Sequence, residues 1–188
     1  NAAYALAMMY YKGEEIQRDM EKAFHYFEIA SKKGHTMARH YLAECYTFGQ
    51  GVEQDFEQAA VWYTQAAEKN NLDSMVNLGI CYTEGLGVEQ NYEKAFYWFD
   101  LAAGKGYAAA EYNLGLCYLN GEGVEKDEAK AVDYFTRAAK QELSDAQYTL
   151  ALCCRDGIGT AKDDEQYKYW LEKAASHGQE EAVELLNA

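Results

Sequence analysis

The chain has 188 residues, enough for one ordinary domain or a short stack of small units, and 49% of them are hydrophobic. Seventeen Lys and Arg against 31 Asp and Glu leave a net charge of −14, which repels phosphate backbones and anionic bilayers and makes nucleic acid a poor partner. No run approaches the roughly 18 apolar residues of a membrane span, so direct membrane insertion is excluded, and a chain with no proline, 15 glycines and 17 tyrosines reads as all-α with glycine-made turns.

A period of 36 residues runs through the chain without insertion or deletion. Leu6, Leu42, Leu78, Leu114, Leu150 and Leu186 share one column, with Ala2, Ala38, Ser74, Ala110, Ala146 and Ala182 four residues ahead of it. Gly13, Gly49, Gly85, Gly121 and Gly157 form a second column, followed two residues later by Gly51, Gly87, Gly123 and Gly159, with Glu15 as the exception. Internal repetition at this spacing marks a stacked repeat architecture. The units are 2–37, 38–73, 74–109, 110–145 and 146–181, and residues 182–188 begin a sixth unit or form a cap. The whole of 1–188 is thus one repeat domain. The first unit is electrically neutral, and the four that follow are each net negative.

Each unit reads as two helices. In the second, Ala38, Leu42, Cys45, Tyr46 and Gly49 follow one helical face to a glycine stop. After the Gly-x-Gly-Val turn, Asp55 stands where an N-cap acceptor is wanted, as do Asp19, Asn91, Asp127 and Asp163. The second helix then presents Ala59, Trp62, Tyr63, Ala66 and Ala67, and the third unit repeats this with Ala95, Trp98, Phe99, Ala102 and Ala103. No single hairpin can bury such a face alone, so the five must stack.

The stretch LGICYTEGLGVEQNYEKAFYWFDLAAGKG, residues 78–106, resembles the Sel-1-like repeat family of the tetratricopeptide-like superfamily, and the likeness recurs in all five units. The resemblance implies a right-handed α-solenoid whose first helices, here called A helices, line a concave binding face. Two departures stand out: MMYYKGEEI in the first unit, and Tyr167 where the helix B alanine belongs. Both end units are expected to pack less regularly than the middle.

Cys45, Cys81, Cys117 and Cys153 form a ladder in one helix A column, and Cys154 replaces a tyrosine. Equivalent helices in neighbouring repeats lie about 8–10 Å apart, beyond the reach of a disulfide, so all five thiols are expected to stay reduced and buried. Unpaired cysteines favour a reducing compartment such as the cytoplasm; a periplasmic or secreted origin stays open. His25, His35 and His177 read as solvated surface. No metal-ligand spacing, phosphate loop or nucleophile–base pattern occurs, so no catalytic residue, metal or cofactor is expected and the chain is not read as an enzyme.

What remains is binding. Aligning the LG-x-x-Y block with tetratricopeptide helix A places the concave face on columns two before, two after and five after the leucine. The candidate partner-binding residues are Tyr4, Met8, Tyr11, His40, Glu44, Val76, Ile80, Tyr112, Leu116, Leu119, Tyr148, Leu152 and Arg155. The expectation is a monomeric scaffold or adaptor holding a protein or peptide. The alternative is an inhibitor or immunity protein occluding a toxin or enzyme active site.

Overall fold

The computed structural model describes residues 2–14 and 16–187. They form eleven α-helices, with no strand among the described residues. The fold is an all-α helix-turn-helix repeat of the solenoid class. Two compact units divide the chain at residues 91 and 92. The first holds α1 (Ala2–Lys12), α2 (Met20–Lys32), α3 (Thr36–Phe48), α4 (Phe56–Ala67) and α5 (Leu72–Glu84). The second holds α6 (Tyr92–Ala103), α7 (Ala108–Asn120), α8 (Glu128–Lys140), α9 (Ser144–Asp156), α10 (Asp164–Ser176) and α11 (Glu180–Asn187). Within each unit every helix packs on the next in chain order.

Backbone chemistry makes the hairpins. Gly49, Gly85, Gly121 and Gly157 end the A helices in the left-handed conformation, which glycine adopts without the Cβ penalty. The second glycine of the turn answers to sterics: a Cβ at Gly51 or Gly87 would collide with the carbonyl of Met20 or Phe56, and one at Gly123 or Gly159 with that of Tyr92 or Glu128. Each turn therefore rests on the start of the preceding helix B. Glu15, which breaks this column, lies outside the described residues. Asp19, Asp55, Asp127 and Asp163 accept hydrogen bonds from the third amide of their helices, caps worth about 1 kcal/mol each. Their own amides donate back to Tyr10, Tyr46, Tyr118 and Cys154 carbonyls of helix A, at 2.8–3.1 Å.

The core is alanine where backbones touch and aromatic where they separate. Ala23, Ala59, Ala95 and Ala131 are buried on the B helices, as are Phe27, Tyr63, Phe99 and Phe135. Gly115 is required by this packing, because a Cβ there would come within 2.6 Å of the Phe135 ring. The last hairpin departs from the pattern by an exchange of sizes. Cys154 stands where a tyrosine belongs and Tyr167 where an alanine belongs, and both join one cluster with Phe135 and Leu150, so the irregular residues compensate each other. On α11, Ala182 is buried while Leu186, in the core leucine column, is 43% exposed.

Candidate partner-binding face

In the first unit the candidate residues lie on α1, α3 and α5. Tyr4 and Tyr11 are half-buried around the fully buried Phe27, at centroid distances of 6.2 and 6.0 Å. Tyr41 completes the group, stacked on Phe27 at 5.2 Å and lying 5.4 Å from Tyr11. His35 stacks on Tyr4 at 4.2 Å, and its Nδ1 accepts from the Ala38 amide. Neither Tyr41 nor His35 belongs to the predicted set. The Tyr41 column reads Ala5, Asn77, Asn113 and Thr149 in the other units, so periodicity carried no signal there. His35 was expected in solvent; its half-burial follows from the Tyr4 ring lying across it.

His40 and Val76 are buried rather than open on the face. The His40 Nδ1 lies 3.0 Å from Ser74 Oγ, and its Nε2 lies 3.5 Å from Glu44 Oε1. Burial pushes the imidazole pKa below its ordinary value, so it is neutral at pH 7. A signal existed in the sequence: Ser74 is the one serine in an alanine column, one unit on from the one histidine in its own column. Glu44 is half-buried, and desolvation, reinforced by Asp73, pushes its carboxyl upward. Met8 is half-buried and Ile80 is exposed. Thr47, in the third column, donates from Oγ1 to the Tyr63 hydroxyl at 3.2 Å.

In the second unit Tyr112, Leu116, Leu119, Tyr148 and Leu152 are half-buried and Arg155 is exposed. Tyr112, Leu116 and Leu119 pack against a cluster containing Ala146, Leu150 and Cys153. The Tyr112 hydroxyl lies 3.4 Å from Thr149 Oγ1. Tyr148 packs against Ala151, Leu171, Ala174 and Ala182. Arg155 is held by its neighbour, with Nε and Nη2 each donating to Asp156 at 2.8 Å. The strip here is tyrosine and leucine, with its one cation already forked onto a carboxylate.

The repeat that carries these columns is what the comparisons with known proteins match. The Sel1 repeat model matches five times, over residues 1–35, 36–71, 72–107, 108–143 and 144–179. The chain belongs to the Sel1 repeat family. No curated protein sequence matches it significantly. A solved Sel1 repeat protein from Oxalobacter formigenes is 31% identical with a TM-score of 0.94, covering 98% of this chain and 74% of that one. A protective antigen of uropathogenic Escherichia coli strains, described as displaying an SLR fold, is 32% identical with a TM-score of 0.88. The match covers 96% of this chain but only 39% of that antigen. More distantly, an immunity protein from Pseudomonas aeruginosa is 21% identical with a TM-score of 0.49, over 94% of this chain and 81% of that one.

All five cysteines are free and buried. Desolvation pushes the Cys45 and Cys117 thiols up to about 12 and those of Cys81 and Cys153 to about 11, so they are not thiolate nucleophiles at neutral pH. Among the described residues no group of three or more His, Cys, Asp or Glu side chains could hold a metal ion. Glu111, only 2% exposed, is a buried acid that periodicity did not single out. Arg137 pairs with it and Gln141 Nε2 donates to it at 2.7 Å, so it ties α7 to the end of α8. In the next repeat Gln147 takes the same column and donates to the Ala139 carbonyl at 3.0 Å.

Proposed function

We propose that this Sel1 repeat chain is a scaffold or adaptor that holds a protein partner on the concave face lined by its A helices. The observation that carries this reading is the recurrence, in both compact units, of half-buried apolar and tyrosine side chains at the same columns. Tyr4, Met8 and Tyr11 on α1 answer to Tyr112, Leu116 and Leu119 on α7. Such residues retain apolar area that a partner can cover, and tyrosines anchor interfaces at low entropic cost.

The test is a pair of substitutions read against a partner captured from the native source. Leu116→Asp and Tyr112→Asp should each weaken binding by about 2 kcal/mol or more. Leu116 also packs on the α9 cluster, so melting is measured beside affinity. Affinity lost with melting retained supports the face; Tyr112→Asp leaving both unchanged moves the partner elsewhere. The inhibitor reading draws on the net charge of −14, which suits occlusion of a basic active site. It predicts a partner enzyme that is silent in the complex, whereas an adaptor leaves its partner active.

A further inference from the structure

One column of the face contains a residue the fold does not need. Two positions after the leucine, the five repeats read Met8, Glu44, Ile80, Leu116 and Leu152. Four are apolar and half-buried or exposed; the fifth is a carboxylate in the same setting. Half-burying an ion is costly unless a counter-charge or hydrogen bonds compensate. Among the described residues no lysine or arginine pairs with Glu44. Its ion-pair contact, His40, is neutral at pH 7, and Asp73 on α5 adds like charge. Arg18 acts on Tyr11 and is not among the groups that shift Glu44. Compare Glu111, equally out of place by composition but saturated by Arg137 and Gln141. Glu44 is therefore a half-buried carboxylate that no internal cation neutralises among the described residues, its contact with His40 Nε2 at 3.5 Å being to a neutral imidazole, a pattern that belongs to function.

The surroundings define what would complete it. Glu44 lies close enough to Tyr11, Tyr41 and Tyr63 for its charge to act on all three phenols, and the Tyr11 and Tyr41 rings lie 5.4 Å apart, both only half-buried. A carboxylate beside aromatic faces attracts a cation twice, by ion pairing and through the ring quadrupoles. On α1, Tyr4, Ala5, Met8 and Met9, together with Lys12 and Glu14, line a mainly apolar hollow of about 380 Å³, and Lys12 is paired there with Glu14 at 3.7 Å. We propose that Glu44 anchors a lysine or arginine side chain of the bound partner, with Tyr11 and Tyr41 as the pocket walls and an apolar partner residue seated beside Met8. This rests on the concave-face reading and adds the partner's chemistry, a basic residue flanked by apolar ones.

The probe is a capped pentapeptide with arginine at its centre and leucine on either side, compared with the same peptide carrying neutral, nearly isosteric citrulline, at physiological ionic strength. The arginine peptide should bind about tenfold more tightly, and shift the ring resonances of Tyr11 and Tyr41. In Glu44→Gln the preference should shrink to about twofold or less, and Tyr41→Leu should reduce it partway. Glu57→Gln, an equal loss of charge at an exposed position of α4, should leave it intact. Folding is controlled by melting, which Glu44→Gln should leave unchanged or raise. Equal losses in Glu57→Gln would reduce the preference to net charge and overturn the inference, as would a preference surviving Glu44→Gln or no binding of the arginine peptide. Self-association abolished by Glu44→Gln would seat a second copy there and also overturn it. Partner capture still lost on Tyr112→Asp in any of these cases leaves the concave-face reading standing without the basic anchor.

Discussion

The two compact units share a frame and differ in the face it carries. In both, a left-handed glycine ends helix A, an aspartate caps helix B, and a second glycine lies against the previous helix B start, at Gly51 and Gly87 in one unit and at Gly123 and Gly159 in the other. In the first unit Phe27 is ringed by Tyr4, Tyr11 and Tyr41, with titratable His40 and Glu44 beside them. In the second, the equivalent Phe135 has Tyr112 as its ring neighbour among the described residues, and the strip is tyrosine and leucine. The contrast shows where a repeat is free to vary. Turn and cap positions answer to backbone collisions and amide hydrogen bonds, which every copy must satisfy. The face column answers only to its neighbours and to whatever it binds.

The largest test of that contrast is to empty both ring sites. Phe27→Ala and Phe135→Ala should each cost about 3–5 kcal/mol in urea unfolding. The loss should be larger at Phe27, with collapse of the near-ultraviolet tyrosine dichroism, because three phenols lose their support. Equal losses with unaltered dichroism would mean that the aromatic group in the first unit adds nothing beyond burial.

A smaller effect comes from pH, and its sign follows from burial. The folded pKa of His40 lies below the ordinary 6.5, so as pH falls through 6.5 the unfolded chain takes up the proton first and stability drops until the folded value is passed. Glu44 has the opposite sign. Its folded pKa lies above the ordinary 4.5, so its burden is absent at low pH and grows as pH rises through the folded value. Relative to His40→Gln, wild type should therefore lose more of its melting temperature between pH 7.5 and pH 5.5. His35 shifts in the same direction as His40, so the comparison is between variant and wild type at each pH. Glu44→Gln should raise melting at pH 7.5 and leave it unchanged at pH 4. A His40→Gln profile parallel to wild type would remove the histidine from the account.

The smallest effect concerns the turns between repeats. Gly34, Gly106 and Gly178 take positive φ there, and so do Asn70 in the first unit and Glu142 in the second, at 63° and 65°. Glutamate pays more than asparagine in that region. Glu142→Gly should stabilise by about 0.5–1 kcal/mol and Asn70→Gly by less, measured as a shift in thermal midpoint. A loss at Glu142 would show that its side chain contributes more than its backbone costs.

What the residues alone determined is the repeating part: eleven helices foreshadowed by a 36-residue register, the glycine stops, the aspartate caps and the buried thiol column. These are local or repeated constraints, so each unit restates them and the pattern survives any one exception. Only the tertiary structure decided that Tyr41 and His35 join Tyr4 and Tyr11, that His40 turns inward to Ser74, that Glu111 finds Arg137, and that Cys154 and Tyr167 exchange sizes. Ser74 and Tyr41 lie more than thirty residues from His40 and Tyr4, and each pairing departs from its own column in a single unit. The environment of a half-buried side chain is set by which neighbour fills the space beside it, and a periodic pattern averages that information away.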